Sequence, residues 1–528
     1  MIPLIYKEDV AETITVTRTQ RIHIPYNEMI SYFCHLSKNL WNQTHHLVYP
    51  EYKKSGYVQS YGEIDAVLNK KSYYKKDGKI NPEFDNYHKL GGATAQQILK
   101  VYFKSWTSYL KGIQGYWENK KNCNNKDYTG MPREPGYKKK DGEFELIFTN
   151  EQIKFRETKR GNVWMYFPKK IDNKPSRLKD LKILLGNVNN LDPYLLKRLM
   201  WGKLDQVRII PKGTGYWIEI VYDQEVLANA SEIYGLDEDI IISIDLGVEN
   251  LAAITDNIGN RPIIIKSEIL KAENQWYNKR KAELQAIYDR QIFGCFLKRD
   301  KFGRIRYLVN KTGKKMEILT DNRNNSVVDD LHKVSRYLVE YALDIKSKTI
   351  AFVRNVGWKQ KVKMGKRNNQ NFVQIPYKKL IDMTRYKAQE YGIDVIDDTE
   401  EYTSKCSFPN SESIEHHNVY MGKRTYRGLF EASKGFKINS DVNGSYNFLR
   451  KIAEKVIKNK TKFERQFSQL NKQLLADKVG THLKQINFDY VSPKFDIYDI
   501  IEGLAVHGLV PERLSVSDLM STSYKNLS

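Results

Sequence analysis

The chain has 528 residues, 41% of them hydrophobic, enough for real cores and for two to four domains. Its 86 Lys and Arg against 63 Asp and Glu leave a net charge of +23 and a pI near 9.4, an excess that points to a polyanion partner, nucleic acid above all. Four dispersed cysteines without a CxxC pair argue against a disulfide framework and a zinc site, and no apolar run approaches the about 18 residues of a membrane span.

Residues 10–25 alternate Thr, Val and Ile and predict a strand that Pro25 ends. From Tyr26 to about Gly56 the period becomes helical, with Met29, Phe33, Leu36, Leu40 and Trp41 on one face. A second helix is expected over Thr94 to Ile113, and residues 132–142 read as a loop. Alternation at 144–148 and 163–168, and a hairpin over 207–222, suggest a β-barrel-like domain interrupted by a helical insertion at 26–124.

After Leu236 the pattern turns α/β. Strands at 241–245, 251–255 and 262–266 form a meander, followed by a polar helix from Leu270 to about Ile292. A helix over about 327–346, a buried strand at 349–353, a basic loop at 356–370, a helix over 372–391 and a strand at 393–396 come next. Residues 402–437 read as irregular, a helix opens at Asn439, and residues 462–486 are amphipathic.

Two carboxylates stand out. Asp245 ends an apolar β-branched run and precedes Gly247, where an unpaired charge is expensive unless a cation meets it. Asp441 lies at a helix start. A hairpin cap for the first and an N-cap for the second are the bland alternatives. A strand-end Asp in an α/β meander with a late helical Asp is the layout of an RNase H-like nuclease, whose carboxylates hold two Mg²⁺ ions.

The stretches IISIDLGVENLAAITDN (241–257), NQWYNKRKAEL (274–284), LHKVSRYLV (331–339), YTSKCSF (402–408) and INSDVNGSYNFLRK (438–451) closely resemble the TnpB family, RNA-guided nucleases of insertion-sequence transposons related to compact type V CRISPR effectors. Upstream, GGATAQQILKVYFKSW (91–106) and the segment 132–155 fit as well. The resemblance implies a multidomain α/β chain. It divides into a wedge β-barrel domain (1–25 and 125–232) with a helical recognition insert (26–124), and a RuvC nuclease domain (233–398 and 437–528) with a target-nucleic-acid-binding insert (399–436). It also implies a guide RNA and a double-stranded DNA target as partners, two Mg²⁺ ions, no membrane, and a bacterial cytoplasmic setting; no signal peptide is expected from Met1 to Glu8.

Asp245 and Asp441 would be the first and third metal-binding, catalytic carboxylates. The family's second, a Glu at the end of the strand after the long helix, is here Val353. Some family branches take a Glu from the next strand instead. Glu400 is the expected substitute and Glu401 the second choice, within the cluster Asp397, Asp398, Glu400 and Glu401. A zinc ribbon is not expected: Cys406 stands alone, with Pro409 where its partner would be, and His416 and His417 leave the ligand count short. Lys423, Arg424, Arg427 and Lys434 are expected to contact nucleic acid. A nuclease-inactive, RNA-guided DNA-binding repressor is the alternative.

Overall fold

The computed structural model describes residues 13–70, 85–121, 131–167, 182–191, 196, 199, 204–213, 215–290, 297–299, 305–307, 313–353, 374–399, 401–426, 428–457, 460–476 and 484–486. They form two compact units, one built on Thr15–Glu225 and the other on Val226–Leu509.

In the first unit β1 (Thr13–Pro25) leads into helices α1 (Glu28–Ser55), α2 (Tyr61–Asn69), α3 (Asp85–Leu90) and α4 (Gly92–Lys121). Asn27 caps α1 by accepting from the backbone N–H groups of Met29 and Ile30, and Gly56, at φ 73°, ends it. Trp41, Tyr102 and Trp106 fill the core between the long helices. The segment predicted as a loop is pinned along α1: Trp41 Nε1 donates to the Gly136 carbonyl at 3.1 Å, and Asn42 exchanges bonds with both backbone groups of Lys138.

The strands of this unit are β2 (Leu146–Thr149), β3 (Lys154–Glu157), β4 (Asn162–Tyr166), β5 (Lys182–Asn187), β6 (Leu204–Lys212) and β7 (Gly215–Leu227). They make a four-stranded sheet of order β1-β7-β6-β2 and a separate three-stranded sheet β3-β4-β5. The expected closed barrel is therefore not formed among the described residues: β1 and β2 remain edges and do not pair with each other.

The second unit is a six-stranded sheet. Strands β8 (Asp237–Leu246), β9 (Asn250–Asp256) and β10 (Ile263–Lys266) form the predicted antiparallel meander. After helix α5 (Glu268–Arg290), the short pair β11 (Leu297–Arg299) and β12 (Ile305–Tyr307), and helix α6 (Lys314–Asp344), strand β13 (Ser347–Val353) returns parallel to β8. Helix α7 (Tyr377–Ala388) and strand β14 (Asp394–Asp398), parallel to β13, follow. Three short strands, β15 (Lys423–Tyr426), β16 (Leu429–Glu431) and β17 (Lys437–Asn439), form their own antiparallel sheet before helices α8 (Ser440–Val456) and α9 (Lys460–Ala476). Strand β18 (Lys484–Ile486) pairs parallel with β10, giving the order β14-β13-β8-β9-β10-β18.

Alternation decides what each face carries. Ile242, Ile244, Ile254, Ile350 and Phe352 pack against Leu331, Val334 and Leu338 of α6 and Leu380 of α7. Ile241, Ala253, Ala351 and Val353 face the other way, toward Val442, Tyr446 and Leu449 of α8. Three expectations are corrected: α6 starts at Lys314, well before 327, α7 spans Tyr377–Ala388 within the expected 372–391, and the region expected to be irregular holds β15 and β16 and the start of β17. The early turns of α6 are too polar for a periodic apolar face, and β15 is exposed throughout, so neither carries the alternation that reveals an element in sequence.

Candidate functional site

Asp245 is the ninth residue of β8 and pairs with Ala253 of β9. Its run of Ile241, Ile242 and Ile244 is fully buried, which fixes the strand, while the Asp245 side chain reaches the partly open carboxyl end of the sheet. The turn that follows is tight. A Cβ on Gly247 would lie 2.8 Å from the Asn250 carbonyl oxygen, so only glycine fits there.

Asp441 does not cap its helix. Asn439 does, accepting from the N–H groups of Asp441 at 2.9 Å and Val442 at 3.3 Å. The Asp441 carboxylate is thereby left for other work in the first turn of α8. Its Oδ2 accepts from Asn250 Nδ2 at 2.8 Å, and Arg424 of β15 stands 3.5 Å from its Oδ1.

Helix α8 crosses β8 and β9 at very close range. Ser243 Oγ donates to the Ser445 carbonyl at 2.8 Å, Ser445 Oγ returns a bond to the Ser243 carbonyl at 3.1 Å, and Thr255 meets the Ser445 hydroxyl at 2.9 Å. Gly444 completes the approach: a Cβ there would sit 3.0 Å from Asp245 Oδ2. Residues 441 and 444 share a helix face. The Asp245 carboxylate thus lies against the face of α8 that carries Asp441. Tyr377 backs them, its hydroxyl donating to the Gly247 carbonyl at 2.8 Å. Burial and the nearby Asp245 charge push the Tyr377 phenol far up, so it stays a neutral donor.

Across the sheet, Val353 pairs with Asp398 on one side and lies level with Asp245 on the other, since Phe352 pairs with Ile244. Val353 is 1% exposed and packs in the core beneath α8. Asp397 and Asp398 already hold cations: Arg385 bonds Asp397 at 2.7 Å, and Lys455 bonds Asp398 at 2.5 Å. Burial alone would raise the Asp398 carboxyl, but Lys455 and the Thr399 N–H hold it below the ordinary carboxylate range. Glu401 is exposed. Glu400, the expected third carboxylate, lies outside the described residues, and among those described no three His, Cys, Asp or Glu side chains converge on a common point.

The chain after β14 returns to α8. Asn443 donates to the Cys406 carbonyl at 2.9 Å and accepts from the Phe408 N–H at 3.0 Å; Asn447 donates to the carbonyls of Thr403 and Cys406. Both amides are fully buried. Tyr402 takes a left-handed backbone, φ 61°, which costs on the order of 1–3 kcal/mol. Asn443→Ala strips two buried backbone partners, so we expect a loss of about 2–4 kcal/mol, read by urea unfolding, with the segment 402–412 becoming the first site of limited proteolysis. Equal unfolding midpoints for the two proteins would contradict this.

Beyond that segment, Cys406 is buried, its Sγ 3.7 Å from the Glu415 carbonyl. Buried Glu412 ties the two arms of the insert, accepting from Ser407 N–H at 2.7 Å and Met421 N–H at 2.9 Å. Strand β15 is an exposed edge carrying Lys423, Arg424 and Tyr426, the last 66% exposed. Of the expected nucleic-acid contacts, Arg427 and the Lys434 side chain lie outside the described residues.

Sequence reasoning missed Asn250, Gly444 and Tyr377, and named Arg424 without its link to Asp441. Asn250 bears a further mark. Its Oδ1 is buried with no hydrogen-bond partner among the described residues, a state that costs about 1–3 kcal/mol.

A family model described as "Probable transposase" (OrfB, IS605 type) matches residues 236–355, and one described as "Cas12f1-like, TNB domain" matches residues 377–448. The TnpB-like protein ORF457 of Acidianus two-tailed virus is 24% identical over 421 residues, covering 75% of this chain and 78% of the relative. The Cas12f1 chain of a Cas12f1–sgRNA–target DNA complex is similar in fold, with a TM-score of 0.51 at 15% identity over 80% of this chain and 83% of that one. No helix among the described residues is long and apolar enough to cross a membrane. Both family models fall on the unit that holds Asp245 and Asp441, and the TnpB-like relative is similar across three quarters of the sequence, which together support a TnpB-family protein.

Proposed function

We propose that the protein is an RNA-guided DNA endonuclease that hydrolyses the phosphodiester backbone of its target at one RuvC-type site. The observation that carries this reading is the close approach of Asp245, at the carboxyl end of a sheet strand, to Gly444 on the face of α8 that carries Asp441. The order β10-β9-β8-β13-β14, antiparallel over the first three strands and parallel over the last two, supports an RNase H-like fold. Residues 1–25 and 125–232 are read as the wedge domain, 26–124 as the recognition insert, 233–398 and 437–528 as the nuclease domain, and 399–436 as the insert that binds target nucleic acid. Guide RNA and double-stranded DNA are the proposed partners; the Cas12f1 relative was solved in complex with an sgRNA and target DNA, and the +23 net charge of this chain suits both.

The donor set fits magnesium. The carboxylates of Asp245 and Asp441, set at one face of α8, are hard oxygen ligands of the type Mg²⁺ selects. Asp245, Asp441 and Glu400 would hold two ions, which when bound stabilise the charge that develops on the phosphate. The chain's own groups do the rest. Gly444 lets Asp245 approach α8, Tyr377 holds the turn after Asp245, and Arg424 brings a fixed cation beside Asp441 where a phosphate oxygen gains charge. Lys423 and Tyr426, on the same exposed strand, offer a phosphate contact and a stacking face.

A nuclease-inactive repressor is the second reading, and Val353 favours it, since Val cannot bind Mg²⁺ and sits level with Asp245. Protein purified with its co-expressed RNA, and that RNA sequenced, decides between them. Matched duplex DNA should be cut in Mg²⁺ and left intact in EDTA. Binding without cutting would establish the repressor, and absence of bound RNA would overturn guided function altogether.

A further inference from the structure

We infer that Asn250 is a positioning residue for the metal site, acting through Asp441. This rests on the proposal that Asp245 and Asp441 hold divalent ions, and it assigns a role to a residue outside the carboxylate set.

Asn250 opens β9 and is 4% exposed. Its backbone is locked on both sides. It lies across the tight turn from Gly247, and it pairs with Lys266 at a register shift in β10. Ser267 holds the turn from below, its hydroxyl bonded to the carbonyls of Val248 and Glu249. The side chain therefore has little freedom, and it spends its Nδ2 on Asp441 Oδ2 at 2.8 Å. The amide cannot be turned over without facing its oxygen against that carboxylate, so the donor orientation is dictated by Asp441 itself. The result is the unpartnered buried Oδ1.

A polar side chain kept in a buried spot at that cost, with its one bond to a proposed metal ligand, is explained by what the bond does. It fixes the carboxylate plane of Asp441 and leaves Oδ1, the oxygen beside Arg424, as the one presented outward. Outer-shell partners of this type set ligand orientation, and their loss weakens metal affinity by about 10–100-fold.

The distinguishing feature is a split between stability and metal affinity. Asn250→Leu removes the donor to Asp441 and also removes the orphaned acceptor; Asp441, 24% exposed, regains water as a partner. We expect full-length Asn250→Leu to melt in EDTA at or above the wild-type temperature. Its Mn²⁺ affinity, titrated by electron paramagnetic resonance of free Mn²⁺, should fall about tenfold or more. Asn250→Ala, which demands less space, should show the same split and guards against a misfolded leucine variant. Wild-type Mn²⁺ affinity in either folded variant overturns the inference. So does a fall in melting temperature in EDTA for both variants, because that would mark a structural hydrogen bond. Wild type that binds no Mn²⁺ would instead overturn the metal-centre reading beneath it, so the two failures are distinct.

Discussion

Asp245→Asn protein, purified with its RNA, is expected to bind matched duplex DNA as wild type does and to cut it at least about 10³-fold more slowly. The size follows from position. Asp245 is the described carboxylate of the sheet that lies against Gly444 of α8, on the face that carries Asp441, so no other described carboxylate can take its place. The same change should leave the melting temperature in EDTA at or above that of wild type. The amide keeps the shape of the side chain and removes one of two like charges on this face of α8, the other having Arg424 beside it. Gly444→Ala is the complementary case. Its new methyl meets Asp245 Oδ2 at 3.0 Å, so the carboxylate must give way by a few tenths of an ångström; cutting should fall while RNA and DNA binding persist. Gel-based cleavage and filter binding on the same preparations measure both quantities. An Asp245→Asn protein that cuts within about tenfold of wild type would remove this site from the reaction.

The parts legible in sequence were those in which local pattern and tertiary role coincide. The β8–β9 hairpin announces itself by its apolar runs and Gly247, and Asp245 is conspicuous as the one charge in that run. Asp441 was legible as an acid at a helix start, although the sequence left open whether it capped the helix; Asn439 takes that task. Asn250 was not legible, because an Asn after a turn reads as turn chemistry until its side chain is seen reaching 191 residues along the chain to Asp441. Gly444 carries no local sign of its role, which appears only when Asp245 is packed against it. A usable signal did exist in α8. Asn443, Ser445 and Asn447 are polar residues set among Val442, Tyr446, Phe448 and Leu449, and a buried polar side chain implies a partner. The barrel expectation failed for a different reason. Alternation identifies strands but says nothing about whether the outermost two meet, and here β1 and β2 do not.

Glu400→Ala should abolish cutting as thoroughly as Asp245→Asn, by at least about 10³-fold, while Glu401→Ala stays within about threefold of wild type. The described acids near this strand end are already committed elsewhere. At the level of Asp245 the neighbouring strand offers buried Val353, and the strand beyond offers Asp398, about 10 Å away at two strand spacings. Asp398 is held by Lys455 and Asp397 by Arg385, so both carboxylates already have their cations. The chain then turns back along α8, where Asn447 and Asn443 grip the carbonyls of Thr403 and Cys406, and the left-handed Tyr402 shapes that return. If Glu401→Ala is dead and Glu400→Ala active, the third ligand is one residue further on. If Asp398→Ala, Glu400→Ala and Glu401→Ala all cut like wild type, no acid from this strand end completes the site. A gain-of-function arm closes the test. In a Glu400→Ala background, Val353→Glu sets a carboxylate in register between Asp245 and Asp398. Buried without a metal, that charge should lower the melting temperature in EDTA; with Mg²⁺ the stability should recover and some cleavage return, because the metal supplies the positive charge that the core beneath α8 lacks.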